Sequence, residues 1–462
     1  MELTPFSLIN QYIRERLIHP QRYTCKEFSF LKIFQHGLSF AINRFDYKLI
    51  KNYLQLPYPL QLAIYWLKSI RQGKSKSQYA FKEFVILDPG RVVKGDDGNW
   101  HSIYFDRISS VIGRERLTWI STKDSPGFHV DYEISFFKRY VPYPDEYVRK
   151  LLKEMIAALR NAERMGQFSA YEMKHLRSAM HIFFEEFRFY YHLFKGQQTR
   201  TLLFICHYHS EGLIAALKML GIRCVEIQHG LIATNDLYYV YHEQFASIIG
   251  KSFFPDTILT YGAYWKRILG MGCEYRTSQV QVAGDYLYRL ADTNKERVEK
   301  ENVVLVCAQK NLHMDYVNYG KQLAAHLKNH PEWRAIMKLH PLEKNKPAYE
   351  ELKQHGIEIV DLEIPLDTLL RKSKIQISIY STTFYDALGF DMVNFSLQDF
   401  GNMSDYASDM IEEGVAAPLL AHEDPVEKYR QAMSAGHTLL PREEVYAPFD
   451  EELVRQLIFD MK

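Results

Sequence analysis

Short apolar segments alternate with helical stretches along most of the chain, and this alternation constrains the fold more than any other feature. Many of the apolar segments are continuous runs of β-branched residues, which is typical of strands covered on both faces. The rhythm therefore predicts an α/β protein with parallel sheets between layers of helices. The predicted strands span residues 84–88, 101–106, 116–121, 200–208, 223–228, 257–262, 280–284, 303–309, 333–340, 357–362, 375–380 and 392–397.

The rhythm breaks between residues 286 and 302, where seven of the eleven residues of DTNKERVEKEN are charged. We expect a hinge at this break, joining two doubly wound domains that face each other across a cleft. The predicted divisions are a basic, aromatic helical extension (1–76), a first domain (77–290), a second domain (300–440) and a helical tail (441–462).

Charge is distributed unevenly along the chain. Up to residue 79 there are twelve basic and four acidic residues, although the formal net charge of the whole chain is only +1. That small net charge argues against nucleic-acid binding, since proteins that neutralise many phosphates carry a large basic excess. The N-terminal segment is also rich in aromatic residues, so it could contact an anionic membrane surface. It could equally be a helical subdomain with a solvated basic face.

The cysteines and the apolar runs indicate a cellular compartment. The five cysteines are widely spaced, without a C-x-x-C pair, which is typical of a reducing cytoplasm and not of a disulfide framework or a zinc site. No run of about 18 apolar residues occurs, and the first residues lack the apolar core of a signal peptide. We therefore expect a cytoplasmic protein, located at the inner face of the membrane if the N-terminal segment binds lipid.

The tetrapeptide QHGL occurs twice, at residues 35–38 and 228–231. The first copy lies in the basic N-terminal segment with no strand before it, and we interpret it as coincidental. The second copy places His229 and Gly230 at the carboxyl end of a predicted strand, where parallel sheets bind ligands. Gly230 would let the backbone approach a ligand or adopt a positive φ. His229 is thus a candidate catalytic residue, although a histidine at a strand end can also be a packing residue.

The sequence MKLHP ends a predicted strand of the second domain. Because strand side chains alternate between faces, Lys338 and His340 are expected on one side, and Pro341 ends the strand because it lacks an N–H donor. An imidazole beside a lysine suits an anionic group such as a nucleotide phosphate. A simple strand terminator would have the same sequence.

Hydroxyl residues follow the next predicted strand but one, in IQISIYSTTFYDALGF. Ser381, Thr382 and Thr383 would stand at the start of a helix, where hydroxyls and free backbone N–H groups form an anion site without a P-loop or a metal. A helix cap without a ligand is the alternative. Neither GxxxxGK[ST] nor GxGxxG occurs, so P-loop or ordinary dinucleotide chemistry is not indicated.

Together these motifs resemble those of GT-B glycosyltransferases of bacterial capsule and lipopolysaccharide synthesis, in particular enzymes that use CMP-activated sialic acid or Kdo. The resemblance rests on ALKMLGIRCVEIQHGLI, PDTILTYGAYWKRIL, VQVAGDYL, KLHP and YSTTFYDAL, and covers about residues 200–400. It implies two Rossmann-like domains facing a cleft, with the CMP phosphate held by His340, Pro341, Ser381, Thr382 and Thr383. CDP-glycerol-dependent teichoic acid polymerases have similar motifs, so the nucleotide is less specific than the fold.

Sialyltransferases of this type carry an acidic-acidic-Gly motif whose carboxylate is the general base, and residues 96–98 of this chain read DDG. However, Asp-Gly between two alternating runs is a strong hairpin signal, so we interpret residues 96–98 as a turn. The preferred base is then Glu211, at a predicted helix start after a strand, with Asp88 and Glu226 as weaker candidates. His207 and His209 could bind the acceptor.

The expected activity is transfer of a sugar from a nucleotide donor to a glycan or lipid-linked glycan. Glu211 or His229 would take the acceptor proton, while Lys338, His340 and the hydroxyl residues would stabilise the departing phosphate. The scheme requires neither metal nor cofactor, and the acidic residues near 405–409 are interpreted as a surface loop. A non-hydrolysing nucleotide-sugar epimerase and a non-catalytic partner in polysaccharide assembly remain as alternatives.

Overall fold

The computed structural model describes most of the chain. The described residues are 17, 29–42, 59–60, 62–64, 67, 79–94, 98–122, 128–134, 144–234, 238–239, 253–271, 278–285, 299–310, 312–341, 343, 346–361, 364–390, 392–399, 407–435 and 440–459. Most of the predicted hinge, together with most of the N-terminal extension, lies outside them. No helix in the described ranges is long and apolar enough to cross a membrane.

The first sheet has seven parallel strands in the order β5-β4-β1-β6-β7-β8-β9, and a two-stranded antiparallel hairpin, β2-β3, follows β1 in the chain. The chain leaves β1 toward one edge and returns at β6 to build the other, so the topological switch point lies between β1 and β6. The strands are β1 Phe84–Asp88, β2 Val92–Lys94, β3 Trp100–Ser102, β4 Leu117–Ser121, β5 Tyr132–Glu133, β6 Thr201–Phe204, β7 Arg223–Ile227, β8 Thr257–Thr260 and β9 Val280–Val282.

The second sheet has six parallel strands in the order β12-β11-β10-β13-β14-β15. Its switch point lies between β10 and β13, since the chain builds one half before it returns to build the other. The strands are β10 Val303–Cys307, β11 Arg334–Lys338, β12 Ile357–Val360, β13 Ile375–Ser378, β14 Val393–Leu397 and β15 Ala417–Leu419.

Helices cover both sheets. Two 3₁₀ segments, His207–His209 and Lys346–His355, add to them. The α-helices are α1 Leu31–Ile42, α2 Asp106–Ile112, α3 Glu146–Met165, α4 Ala170–Phe194, α5 Glu211–Met219, α6 Ala263–Gly270, α7 His313–Leu327, α8 Leu366–Lys372, α9 Thr383–Asp386, α10 Ser408–Glu412, α11 Pro425–Ser434, α12 Arg442–Val445 and α13 Glu451–Phe459. The predicted α/β class, with two Rossmann-like parallel sheets, is confirmed, whereas the exact domain limits stay predictions.

Several predicted strands are too long at their carboxyl ends. The segment 101–106 is a strand only to Ser102, after which a turn leads into α2. The strands predicted to end at residues 208 and 340 end instead at Phe204 and Lys338, because their last residues turn into the loops at the sheet edge. The short edge strand β15 was missed, since a three-residue strand that contains a proline gives no recognisable pattern.

Both ends of the described chain pack on the first domain. Helix α1 lies so close to α4 that a Cβ at Gly37 would stand 3.1 Å from the Cα of Leu176. Lys32 on α1, the one basic residue of the N-terminal segment that the structure describes, is only 3% exposed and so does not belong to a solvated basic face. Helix α13 packs on the first sheet through Phe459, whose ring meets that of Phe84 edge to face at 5.2 Å. The first core is therefore closed by segments from both ends.

The two sheets meet near their carboxyl edges. The hydroxyls of Tyr264 on α6 and Tyr385 on α9 are 3.0 Å apart and buried. Arg267 donates to Glu413 at 2.8 Å near the same interface. Phe384 belongs to the buried cluster of the first domain although it follows a strand of the second. These contacts hold the carboxyl edge of one sheet toward that of the other, as expected for two domains that face a cleft.

Candidate functional site

Positive charge from both domains converges at the facing edges. His340 lies in the loop after β11 and is half-buried. Burial lowers the pKa of its imidazole, and repulsion from Arg91 and Lys310 lowers that pKa further. Arg91 follows β1 in the first domain, while Lys310 follows β10 in the second. Both strands border a switch point, so the cationic cluster Arg91–Lys310–His340 lies where doubly wound sheets bind ligands. Sequence reasoning missed Arg91 and Lys310, because neither belongs to a motif.

Arg91 is held in place by the hairpin that follows β1. Its guanidinium donates to the hydroxyl of Tyr104 at 2.6 Å and lies over the ring of that residue at 5.6 Å. Its backbone carbonyl accepts from the N–H of Ile103 at 3.0 Å. The cation is therefore positioned by the first domain while its charge acts on a histidine of the second.

Lys338 is placed differently from the prediction. It is the last residue of β11, and its ammonium donates to the carbonyl oxygens of Asp361 and, at 2.7 Å, Ile364. These bonds tie the end of β11 to the loop after β12, and because the strand ends at Lys338, His340 lies beyond it in the following loop. Pro341, predicted to end the strand, lies three residues beyond its last residue, so the strand ends without it. The proposed phosphate contacts of all three residues stay predictions.

The hydroxyl residues after β13 form a compact turn at the switch point of the second sheet. The hydroxyl and the N–H of Thr383 both donate to the hydroxyl oxygen of Ser381, at 2.9 and 3.2 Å. Gln309, after β10, closes the same turn by donating to the carbonyl oxygen of Tyr380 and accepting from its N–H. The predicted helix is a single turn, α9, so Thr382 and its neighbours offer hydroxyls more than a helix dipole. Their role in binding stays a prediction.

The second QHGL copy does leave the carboxyl end of a strand, as predicted. Gln228 is a structural residue: its side-chain amide donates to the Gly230 carbonyl at 2.8 Å and accepts from the Tyr261 N–H at 3.0 Å. His229 is half-buried, and its Nε2 lies 3.3 Å from the hydroxyl of Tyr208. Gly230 does not adopt a positive φ, and a Cβ there would meet no atom within 4 Å. Of the two reasons proposed for this glycine, only close approach of a ligand remains.

The loop that begins with QHGL also reaches the second domain. The N–H and hydroxyl of Thr234 both donate to the carboxylate of Asp409, each at 2.5 Å. Asp409 is 7% exposed and lies in α10. Our interpretation of residues 405–409 as an acidic surface loop is therefore wrong for Asp409, which joins the two domains next to the candidate site.

A buried charge network supports this edge of the first sheet from below. Glu226 on β7 accepts from His207 Nδ1 at 2.5 Å and from the hydroxyl of Tyr239 at 2.8 Å, and neither Glu226 nor His207 is exposed. Burial lowers the pKa of His207, against the attraction of Glu226. Burial opposes ionisation of Glu226, but the charge of His207 and the hydrogen bonds from His207 and Tyr239 outweigh it, so the pKa of Glu226 is lowered. His207 cannot bind an acceptor from this position, which corrects our earlier assignment, while Glu226 lies within its strand as considered.

Glu211 lies at the first position of α5, where a helix start was predicted, but its carboxylate does not stand in the open. Its Oε1 is 3.7 Å from the ammonium of Lys32, and the residue is 8% exposed. Burial lowers the pKa of Lys32 to about 8, against the attraction of Glu211 and Glu226. Burial, together with the charge of Glu211, raises the pKa of Glu186 well above its usual value. Glu211 is therefore buried and paired with Lys32, and its predicted role as the base stays a prediction.

A histidine–aspartate pair that sequence reasoning missed lies in a pocket on the hairpin side of the same edge. His101 Nδ1 is 2.5 Å from Asp106 Oδ2, and the other oxygen of Asp106 accepts from the Ser102 N–H at 2.8 Å. The pocket has a volume of about 460 Å³ and is also lined by Arg107 and Ser110. The signal was available, since a histidine five residues before an aspartate begins this segment, but we predicted the segment as a strand.

Asp88 is buried beneath this pair. It accepts from the hydroxyl of Ser102 at 2.5 Å and from the N–H of Gly90 at 2.7 Å. Burial raises its pKa, opposed by the Ser102 hydrogen bond. Strands β2 and β3 pair antiparallel on either side of the DDG sequence, as expected of a hairpin, although Asp96 and Asp97 lie outside the described residues. Among the described residues, no group of three or more His, Cys, Asp or Glu side chains is arranged to hold a metal ion.

Comparison with known proteins gives distant structural matches. No family model matches the chain, and no curated protein matches it. The UDP-GlcNAc 2-epimerase of Methanocaldococcus jannaschii is 11% identical, with a TM-score of 0.49 over 81% of this chain and 99% of that one. The UDP-GlcNAc 2-epimerase of Neisseria meningitidis bound to UDP-GlcNAc is 11% identical, with a TM-score of 0.46 over 82% and 98%. A glycosyltransferase of Rickettsia africae is 10% identical, with a TM-score of 0.41 over 83% and 94%.

Proposed function

We propose that the chain is a glycosyltransferase that moves a sugar from a nucleotide donor to a hydroxyl of a surface-polysaccharide acceptor. The proposed donor is a CMP-linked nonulosonic acid such as Kdo or sialic acid, following the resemblance of the His-Pro and Ser-Thr-Thr motifs. The observation that carries the proposal is the convergence of Arg91 and Lys310 on His340 between the two switch points. Three basic groups at this location suit a phosphate that gains negative charge as the sugar leaves.

The donor phosphate would lie against His340, with the turn formed by Ser381, Thr382 and Thr383 offering hydroxyl donors from the same domain. Arg91 would add a charge from the opposite domain, so the site would be complete only when the two domains face each other closely. A phosphate at this position would raise the lowered pKa of His340 and favour its cationic form. The basic groups would then stabilise the leaving phosphate without a metal, as the scheme requires.

For the acceptor proton we propose His101 in place of Glu211. A histidine whose Nδ1 is held by a carboxylate has a fixed orientation, and the carboxylate stabilises the imidazolium that forms when the ring takes a proton. Glu211 is buried beside a lysine and has no such access. His229 remains the alternative base, because it is half-buried at the edge of the cleft. The two candidate bases are distinguished by the activity of His101→Asn and His229→Asn measured across pH. The base is the histidine whose replacement removes the fall in activity at acidic pH.

The donor is tested by thermal shift with CMP, CDP and UDP. Ligand at one hundred times Kd stabilises a folded protein by about 2.7 kcal/mol. We expect CMP to raise the melting temperature of the wild type and not of His340→Ala, while Lys328→Ala, an exposed control in the second domain, retains the shift. Stabilisation by UDP alone would contradict the CMP assignment, and stabilisation by CDP alone would favour a CDP-glycerol-type polymerase.

The reaction type is tested separately, with the stabilising nucleotide's sugar supplied with and without acceptor glycan. A transferase forms product only with acceptor. Interconversion of the sugar without acceptor would instead identify a nucleotide-sugar epimerase, and absence of any nucleotide-dependent shift would favour a non-catalytic assembly partner.

A further inference from the structure

Helix α3 presents a row of basic side chains on its exposed face. The row consists of Lys153, Arg160 and Arg164, with Ala157 between the first two. The four positions are four, three and four residues apart, which places them on successive turns of one side of the helix. All four are exposed. At 1.5 Å per residue the row extends over about 16 Å. The opposite side of α3 is apolar and buried in the core of the first domain.

The row contains a surface pocket of about 360 Å³. The small side chain of Ala157 leaves the depression open, and Ile156, 6% exposed, contributes an apolar wall. The basic residues stand around it, with Asn161 as an additional polar group. Cationic groups around an apolar-walled depression suit a ligand that has both a phosphate and a nonpolar part.

Two of the cations at this pocket have no partner among the described residues. Arg160 and Arg164 form no hydrogen bond or ion pair with the residues that the structure describes. Glu163, between them in sequence, is held on the other side by Arg177, whose Nε donates to it at 3.0 Å. Because the net charge of the chain is only +1, this positive surface is local and not a consequence of a basic protein.

The pocket lies toward the edge of the first sheet that carries the candidate site. Asp145, before α3, pairs with Lys195, after α4, at 2.8 Å, so the two helices are antiparallel and this end is near the start of β6. Arg164 at the other end of α3 therefore lies toward the carboxyl edge. Tyr171, 50% exposed, begins α4 a short connection later. A tyrosine beside basic residues is typical of proteins that rest at the depth of lipid headgroups.

We propose that this face of α3 binds the surface of an anionic phospholipid bilayer, with a phosphate-bearing headgroup in the pocket around Ala157. The proposal does not depend on the identity of the donor and concerns a surface distinct from the N-terminal extension. Binding there holds the carboxyl edge of the first sheet close to the membrane surface. A lipid-linked acceptor would then reach the cleft without leaving the bilayer.

The test is co-sedimentation of the full chain with vesicles of phosphatidylcholine, with and without phosphatidylglycerol. The wild type should bind the anionic vesicles and not the neutral ones. Each basic residue near an anionic surface contributes about a fivefold increase in partitioning, so Arg160→Ala/Arg164→Ala should lower it roughly 30-fold. Ala157→Glu, which removes no cation but places a negative charge in the pocket, should lower it as well.

The matched control is Lys321→Ala/Lys328→Ala, which removes the same charge from exposed positions on and just after α7 and should bind as the wild type does. All these positions are exposed, so circular dichroism should be unchanged. Wild-type binding by Arg160→Ala/Arg164→Ala would overturn the proposal and leave the N-terminal segment as the lipid contact. If the control variant lost as much vesicle binding as Arg160→Ala/Arg164→Ala, the binding would depend on net charge and not on this face of α3, and the proposal would be wrong. If a short oligonucleotide of equal total charge displaced the protein from the vesicles, nucleic acid and not lipid would be the ligand of this face.

Discussion

Removal of the Glu226 carboxylate should destabilise the first domain far more than a typical substitution. This carboxylate accepts three hydrogen bonds, from His207 Nδ1 at 2.5 Å, from the Tyr239 hydroxyl at 2.8 Å and from the His207 backbone N–H at 3.3 Å. In Glu226→Ala the imidazole and the phenol lose their partner while they remain enclosed. Lys32, one of the cations balanced by this carboxylate, is buried nearby.

The magnitude follows from those three bonds. A hydrogen bond to a charged group contributes about 1.5–3 kcal/mol, and breaking a buried charged pair costs about 3–5 kcal/mol. We expect Glu226→Ala to lower the free energy of unfolding by about 3–5 kcal/mol. Glu226→Gln is the matched control, because its amide oxygen can still accept from Tyr239 and its amide nitrogen can donate to His207 in the other tautomer. That variant should cost about 1–2 kcal/mol.

Hydrogen exchange resolved by peptide mass spectrometry measures the two domains separately, which matters because a two-domain chain can unfold in more than one step. Exchange from β6 and β7 should accelerate roughly 10²–10⁴-fold in Glu226→Ala, since about 1.4 kcal/mol corresponds to a factor of ten. Peptides from β10 and β11 serve as the internal reference and should be unaffected. Equal exchange from β7 in the Ala and Gln variants would refute the reasoning, because it would mean that the three hydrogen bonds contribute nothing beyond the volume of the side chain.

Three further predictions concern single positions. Gly230→Ala should leave the melting temperature of the free protein unchanged, because an added Cβ meets no atom there. The same variant should weaken nucleotide or acceptor binding, because the Cβ would stand where a ligand approaches the backbone. Unchanged binding in calorimetry would rule out that contact. Nucleotide affinity should rise as the pH falls from 8 toward 6, because a bound phosphate raises the lowered pKa of His340 and binding then takes up a proton. Calorimetry at several pH values should show a weaker dependence of affinity on pH for His340→Gln than for the wild type. Equal dependence in the two proteins would contradict the placement of the phosphate at His340. Gly284→Ala should make the C-terminal segment more sensitive to proteolysis, since Gly284 has a φ of 81° and a Cβ there would collide with the Pro448 carbonyl. The control is Gly221→Ala, with a φ of 70° and open space around the added Cβ, which should lower the free energy of unfolding by only about 1–2 kcal/mol. Equal proteolysis of the two variants would show that the contact with Pro448 is unimportant.

The sheets could be predicted from the sequence because parallel strands buried on both faces leave continuous apolar runs such as VVLVC. Strand ends were predicted less well, for a physical reason. The residues at the carboxyl edge are still apolar or aromatic where the chain has already turned, as in the segment Ile103 to Phe105, because they pack under the loops of the site. Apolar character therefore marks burial there and not strand pairing.

The candidate site could be predicted only where one strand end determines it. His229 and His340 follow directly from the positions of β7 and β11. Arg91 could not be found in this way, because its importance depends on how the first domain faces the second. No local sequence pattern predicts the arrangement of the two domains. The same holds for Asp409, whose carboxylate reaches Thr234 across 175 residues of sequence.

The two QHGL copies show how far a short motif depends on its surroundings. In the first copy, Gly37 permits close packing of α1 on α4, while in the second, a Cβ added at Gly230 would meet no atom within 4 Å. The first copy is nevertheless not remote from the site, since Lys32, one turn before it, reaches the carboxylate of Glu211 at 3.7 Å. Helix α1 therefore supplies positive charge to a buried acidic cluster beneath the second copy. It follows that α1 is an integral part of the first domain, and that removing it would leave Glu211 and Glu226 buried without that compensating cation.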